Sequence, residues 1–172
     1  MKTDLKTQWT IADILEGFVY SESEGKGLFG LNGSLVIQPE YQRNYIYAED
    51  GKDKAVIESV LKGYPLGLIY FNKVTDPKGK IYYEVLDGQQ RITSLGRFKT
   101  GKLDLEIPGD TMHSLRYDTM PQDKKELFDK TTLTIYVCEG TETEIKEWFR
   151  TINIVGIPLN EQELDNAVYS GA

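Results

Sequence analysis

The stretch "EVLDGQQRITSLGRF", Glu84 to Phe98, concentrates hydrogen-bonding chemistry in one turn. An apolar strand pattern ends at Asp87, then Gly88, Gln89, Gln90 and Arg91 follow, and a helical pattern begins. A strand that enters a helix through a glycine leaves the first helical N–H groups without intrahelical partners. Those groups carry partial positive charge, so an anion can sit there. Gly88 allows a sharp bend and close approach of a ligand. Arg91, one turn in, adds a planar guanidinium that matches phosphate oxygens two at a time. Gln89 and Gln90 each donate and accept, so they can hold a sugar, a base edge or a water. Asp87, just before the turn, can bind a divalent cation or orient Arg91. The same residues have purely structural uses: Asp87 can cap the helix, and Arg91 can pair with Glu84 or Asp87. Alone, D-G-Q-Q-R is a weaker motif than a full P-loop.

Two further patches have the same character. "QPEYQRNY", residues 38–45, follows a strand and offers Gln42, Arg43 and Tyr45. It also reads as a loop whose tyrosines cover a core edge. "RTINIVGIPLNEQEL", residues 150–164, puts Asn153 at a helix end, where asparagine often serves only as a cap; Asn160 has that same structural reading. A zinc site of the Cys/His type is excluded by a single His113 and a single Cys138. A Cys–His nucleophile pair is disfavoured for the same reason. Cys138 is expected half-buried at a strand end and His113 in a loop.

Periodicity supplies the elements that must position these residues. "TIADILEGF", 10–18, places Ile11, Ile14, Leu15 and Phe18 on one helical face, with Thr10 and Asp13 as a capping pair. Residues 21–34 are rich in Gly, Ser and charge and predict a loop. "LVIQ", 35–38, predicts a short strand ending at Pro39. A helix is expected over 53–63, capped by Asp53 and ended by Gly63. Strands over 66–74 and 80–87, joined by "TDPKG", predict an antiparallel hairpin. A helix over 89–99 turns Ile92, Leu95 and Phe98 inward. Residues 100–120 carry no clear period. A helix starting at Pro121, a strand over 132–138, an amphipathic helix over 141–153 and a helix over 161–169 complete the pattern. The expected fold class is α+β, a small mixed sheet with packed helices, formed as one domain over 1–172.

Bulk properties narrow the partners. The 172 residues suffice for a sizeable core, and eleven Tyr, six Phe and two Trp argue against disorder. A net charge of -7 disfavours a broad nonspecific DNA-binding surface, while a local basic pocket remains compatible with it. One cysteine excludes an internal disulfide and fits a reducing compartment. No apolar run approaches the roughly 18 residues of a membrane span. The N-terminus lacks a signal-peptide core, so the expected location is cytoplasmic, with no membrane partner.

Taken together, "IQPEYQRNYIY", "VLDGQQRITSL" and "TINIVGIPLNEQEL" resemble, in order and character, the N-terminal domain of GmrSD-type modification-dependent (type IV) restriction enzymes. The resemblance runs from about Ile11 to Tyr169, and Asp87 to Arg91 is its most specific part. That family resembles the ParB/sulfiredoxin fold, in which a turn opening a helix binds nucleotide phosphates. The resemblance implies a domain that binds and hydrolyses an NTP, GTP or ATP, with Mg²⁺. It implies Asp87, Gln89, Gln90 and Arg91 as catalytic residues. Gly88, Arg91, Arg43, Gln42 and Asn153 would bind the nucleotide, and Asp87 with Glu84 the metal. It further implies work beside an HNH nuclease domain in restricting modified phage DNA. No HNH pattern occurs in the chain, which is expected to stop before a helical and nuclease region. Two alternatives stay open: a module that senses nucleotide or modified DNA without hydrolysis and regulates a partner nuclease, and a fold that is itself a nuclease. The sulfiredoxin branch fits poorly, because Cys138 lies far along the chain from the Gly-Gln-Gln-Arg turn.

Overall fold

The computed structural model describes residues 1–37, 47, 51–107 and 113–155, excepting the side chains of residues 107, 113 and 152–155. The chain begins with strand β1 (Lys2–Lys6), helix α1 (Ile11–Leu15), strands β2 (Val19–Ser21) and β3 (Lys26–Gly30), a 3-10 turn (Leu31–Gly33) and strand β4 (Leu35–Val36). Helix α2 (Lys52–Lys62), strands β5 (Leu68–Thr75) and β6 (Ile81–Asp87) and helix α3 (Gln89–Lys99) form its centre. Strands β7 (Leu105–Ile107) and β8 (His113–Leu115), helix α4 (Gln122–Lys130), strand β9 (Thr134–Glu139) and helix α5 (Glu142–Val155) follow. The architecture is α+β, as expected from the pattern of elements.

Seven strands form one mixed sheet in the order β1-β9-β5-β6-β4-β3-β2, and β7 pairs with β8 apart from it. β5 and β6 are the expected antiparallel hairpin. β4 runs parallel to β6, with Val36 opposite Glu84, and β9 runs parallel to β5. Both β4 and β6 therefore end toward one edge of the sheet, and β5 begins there. The site is built at that edge.

Alternation along the strands sorts side chains onto two faces. Ile69, Phe71, Val85, Ile135 and Val137 join the main core with residues of α1, α2, α3 and α4. Leu86, Cys138, Ile145 and Phe149 form a second cluster with Tyr70 and Trp148, so α5 covers part of the other face. The amphipathic stripe of α5 thus has its partner, and Thr141 and Glu144 cap it reciprocally. Gly63 closes α2 at φ +74, a left-handed position that glycine takes without strain.

Several expectations are corrected. Residues 21–34 are not a loop throughout: β3 lies within them, pairing with β2 and β4. Its glycines hid the strand, because Gly27 and Gly30 sit where a neighbour comes close rather than where the chain turns. The polar N-terminus, for which the pattern predicts no element, forms β1, an edge strand with all five residues exposed. α1 ends at Leu15, and Phe18 packs on the core from beyond the helix. β5 starts at Leu68, since Gly67 adopts φ +81. The N-cap of α2 is Gly51, leaving Asp53 buried in its first turn and 3.8 Å from Arg97. His113 opens β8 rather than lying in a loop. Cys138 is buried, not half-buried. The helix expected over 161–169 lies outside the described residues.

Gly30 isolates a steric requirement. Its φ of -144 suits any residue, yet a Cβ there would stand only 2.4 Å from the Ile14 carbonyl oxygen. Backbone cannot step aside as a side chain can, so Gly30→Ala should cost about 1–3 kcal/mol. Urea denaturation reads this directly; an unchanged midpoint would show that α1 can move away from β3.

Candidate functional site

The turn after β6 has its shape because of β5. Gly88 adopts φ +112, and a Cβ there would meet the Ile69 side chain at 2.9 Å. The close approach that this glycine allows is made by the protein's own core strand. Gly88 is also the N-cap of α3 and supplies no side-chain cap. Its carbonyl accepts from the Ile92 N–H at 3.0 Å, so the helix starts immediately. No side chain at the N-cap position meets the first-turn N–H groups.

A bulge sets the direction of Asp87. Phe71 stands opposite Val85, but Tyr70 stands opposite Asp87, with a register shift between them. Leu86 is the extra residue. Strict alternation would have put Asp87 on the Val85 face, against the main core. The shift puts it on the face of Tyr70 instead. Asn72 lies opposite Glu84, so Glu84 shares that face. Glu84 is buried, whereas the Asp87 side chain remains 38% exposed.

Arg91 is a brace. One guanidinium N–H (Nη1) donates to the Leu66 carbonyl at 2.6 Å, and Nη2 stands 3.4 Å from Asp87 Oδ2. The first contact is short and charge-assisted, while the second is long for a hydrogen bond. A Cβ at Gly67 would sit 3.0 Å from Nη1, so the loop closes tightly over the guanidinium. Burial raises the Asp87 carboxyl above its ordinary range, while the Arg91 charge and the Gly88 N–H pull it back. Tyr70 is raised too, first by burial and then by the Asp87 charge.

The two glutamines divide. Gln90 is buried, and its carbonyl accepts from the Ser94 hydroxyl at 2.8 Å, while Gln89 is half-buried. Gln89 is therefore the one closer to solvent. Gln42 and Arg43 lie outside the described residues, as does the Asn153 side chain, although Asn153 falls within α5. Among the described residues no three His, Cys, Asp or Glu gather into a group that could hold a metal. A Mg²⁺ ion bound to phosphates needs only one or two protein carboxylates, and Asp87, partly exposed at the turn beside Arg91, is the carboxylate that would supply one. Burial pushes the Cys138 thiol up to about 11, so it is no nucleophile near neutral pH.

Beside Arg91 lies a hollow of about 250 Å³, bordered among others by Tyr47, Lys52, Val56, Pro65 and Leu66. Sequence reasoning missed this wall. Pro65 and Gly67 flank the carbonyl that Arg91 holds, and such a pair is a local signal for a backbone held at a special position.

A bent strand-to-helix turn with a guanidinium and a carboxylate at its mouth, on an α+β sheet, defines a candidate anion-binding domain. A family model described as the GmrSD restriction endonuclease N-terminal domain matches residues 26–170. The chain belongs to that family, and its role lies in a restriction system. Neither a curated protein nor a solved structure matches it. No helix among the described residues is long and apolar enough to cross a membrane.

The raised Asp87 carboxyl has a signed consequence. The folded state holds this proton more tightly than the unfolded chain, so ionising Asp87 removes stability as pH climbs past the ordinary carboxylate range. Asp87→Asn should abolish that loss. Urea midpoints compared from about pH 3.5 to 7 should diverge, with the wild type falling relative to the variant. Parallel profiles would contradict the burial of this group.

Proposed function

We propose that this domain binds a nucleoside triphosphate at the first turn of α3 and hydrolyses it, in a system that restricts modified phage DNA. The observation that carries the reading is the start of α3, which has no side-chain cap and lies beside the Arg91 guanidinium. A polyphosphate would meet both the first-turn N–H groups and Arg91, and each favours negative charge. Nη2 carries two N–H groups in the rigid guanidinium plane, so an incoming oxygen could be met there while the bond from Nη1 to Leu66 is kept.

In this reading Arg91 neutralises charge that develops on the transferring phosphoryl group. Gln89 positions the attacking water, and buried Gln90 fixes the turn. Asp87, with Glu84 on the same face, provides oxygen for a Mg²⁺ that shields phosphate charge. Arg43 and Gln42, which lie outside the described residues, would add phosphate contacts. Asn153, in α5, would be a further nucleotide contact, as the family resemblance implies. An HNH nuclease domain, elsewhere in the full-length protein or on a partner, cuts the DNA.

The domain with Mg²⁺ and GTP or ATP should release phosphate. Arg91→Ala should lower the rate by roughly 10³-fold or more, the scale at which a transition-state arginine acts. Nucleotide binding without turnover would instead support a sensor that regulates the nuclease. Neither binding nor turnover by the wild type would overturn both readings.

A further inference from the structure

We infer that the hollow between α2 and the loop at residues 64–67 receives the base of the bound mononucleotide, an inference that rests on the phosphate reading above. Its volume of about 250 Å³ falls below the roughly 300–1,000 Å³ of pockets that enclose a whole drug-sized ligand. That size suits a flat ring system with the rest of the molecule outside. The walls have matching chemistry. Val56, Pro65 and Leu66 are apolar, and Tyr47 offers a ring on which a base can stack. Lys52 Nζ stands over that ring, 5.7 Å from its centroid, and borders the hollow too.

Continuity with the phosphate site comes from Arg91. This residue lines the hollow and also belongs to the first turn of α3. Its bond to the Leu66 carbonyl fixes one rim of the hollow relative to that turn. A nucleotide laid across Arg91 would place phosphates on one side and its base on the other. Two cations beside an aromatic wall favour such a ligand over a purely apolar one.

Ala55 lines the hollow from an exposed position on α2, so a large side chain there can fill it without entering the core. The test is equilibrium binding of GTP, ATP, inorganic tripolyphosphate and a short single-stranded oligonucleotide, all with Mg²⁺. The wild type should bind GTP or ATP at least about tenfold tighter than tripolyphosphate. Ala55→Trp should remove that advantage and leave tripolyphosphate binding unchanged. Glu58→Trp, exposed on the same helix outside the hollow, should behave as wild type. Nucleotide binding unaffected by Ala55→Trp would overturn the base pocket while sparing the phosphate site. So would equal loss of tripolyphosphate, or a loss confined to the oligonucleotide. Wild-type protein that binds neither nucleotide nor tripolyphosphate would overturn the phosphate reading, and the base pocket with it.

Discussion

Everything at the candidate site depends on how closely the backbone at Gly88 packs against Ile69. The Ile69 side chain is fully buried and occupies the space that a Cβ at position 88 would take. The chain must turn there at φ +112, and α3 must start at once. A residue with a side chain would face both a strained backbone, costing of order 1–3 kcal/mol, and a collision with the core. The direction of the helix's first N–H groups is thus tied to the packing of the main core.

Two other features follow from that anchoring. The bulge at Leu86 brings Asp87 out of line with Val85, which spares the core an ionised carboxylate and gives the turn one. The bond from Arg91 to Leu66 then fastens the loop before β5 to the first turn of α3. Asp87 works against stability, because burial makes its charge costly, and Arg91 recovers only part of that cost.

Much of the fold was legible because its helices and central strands bury one clean face. Val56, Ile57 and Val60 mark α2, and Ile92, Leu95 and Phe98 mark α3, all at helical spacing and all buried. β1 was not legible, since its five residues are exposed and its pairing partner is distant in sequence, with Lys2 opposite Glu139 and Lys6 opposite Ile135. β3 was hidden by glycines whose reason is a distant neighbour, Ile14 for Gly30 and Thr93 for Gly27. At the site, local chemistry announced Asp87, Gly88 and Arg91. The wall formed by Tyr47, Lys52 and Leu66 could not be seen, because only the tertiary fold brings α2 and its following loop to Arg91. The same limit applied to Gln89 and Gln90: sequence makes them equivalent, and packing buries one of them.

In the function proposed above, the first turn of α3 and the loop it braces act as one ligand-binding unit. Amide hydrogen exchange, followed with and without GTP or ATP and Mg²⁺, addresses it most directly. The account predicts slower exchange at the amides of residues 89–91 and, through Arg91, at 66 and 67, with little change along β7 and β8. Nucleotide binding that leaves both segments unprotected and slows exchange elsewhere would contradict it.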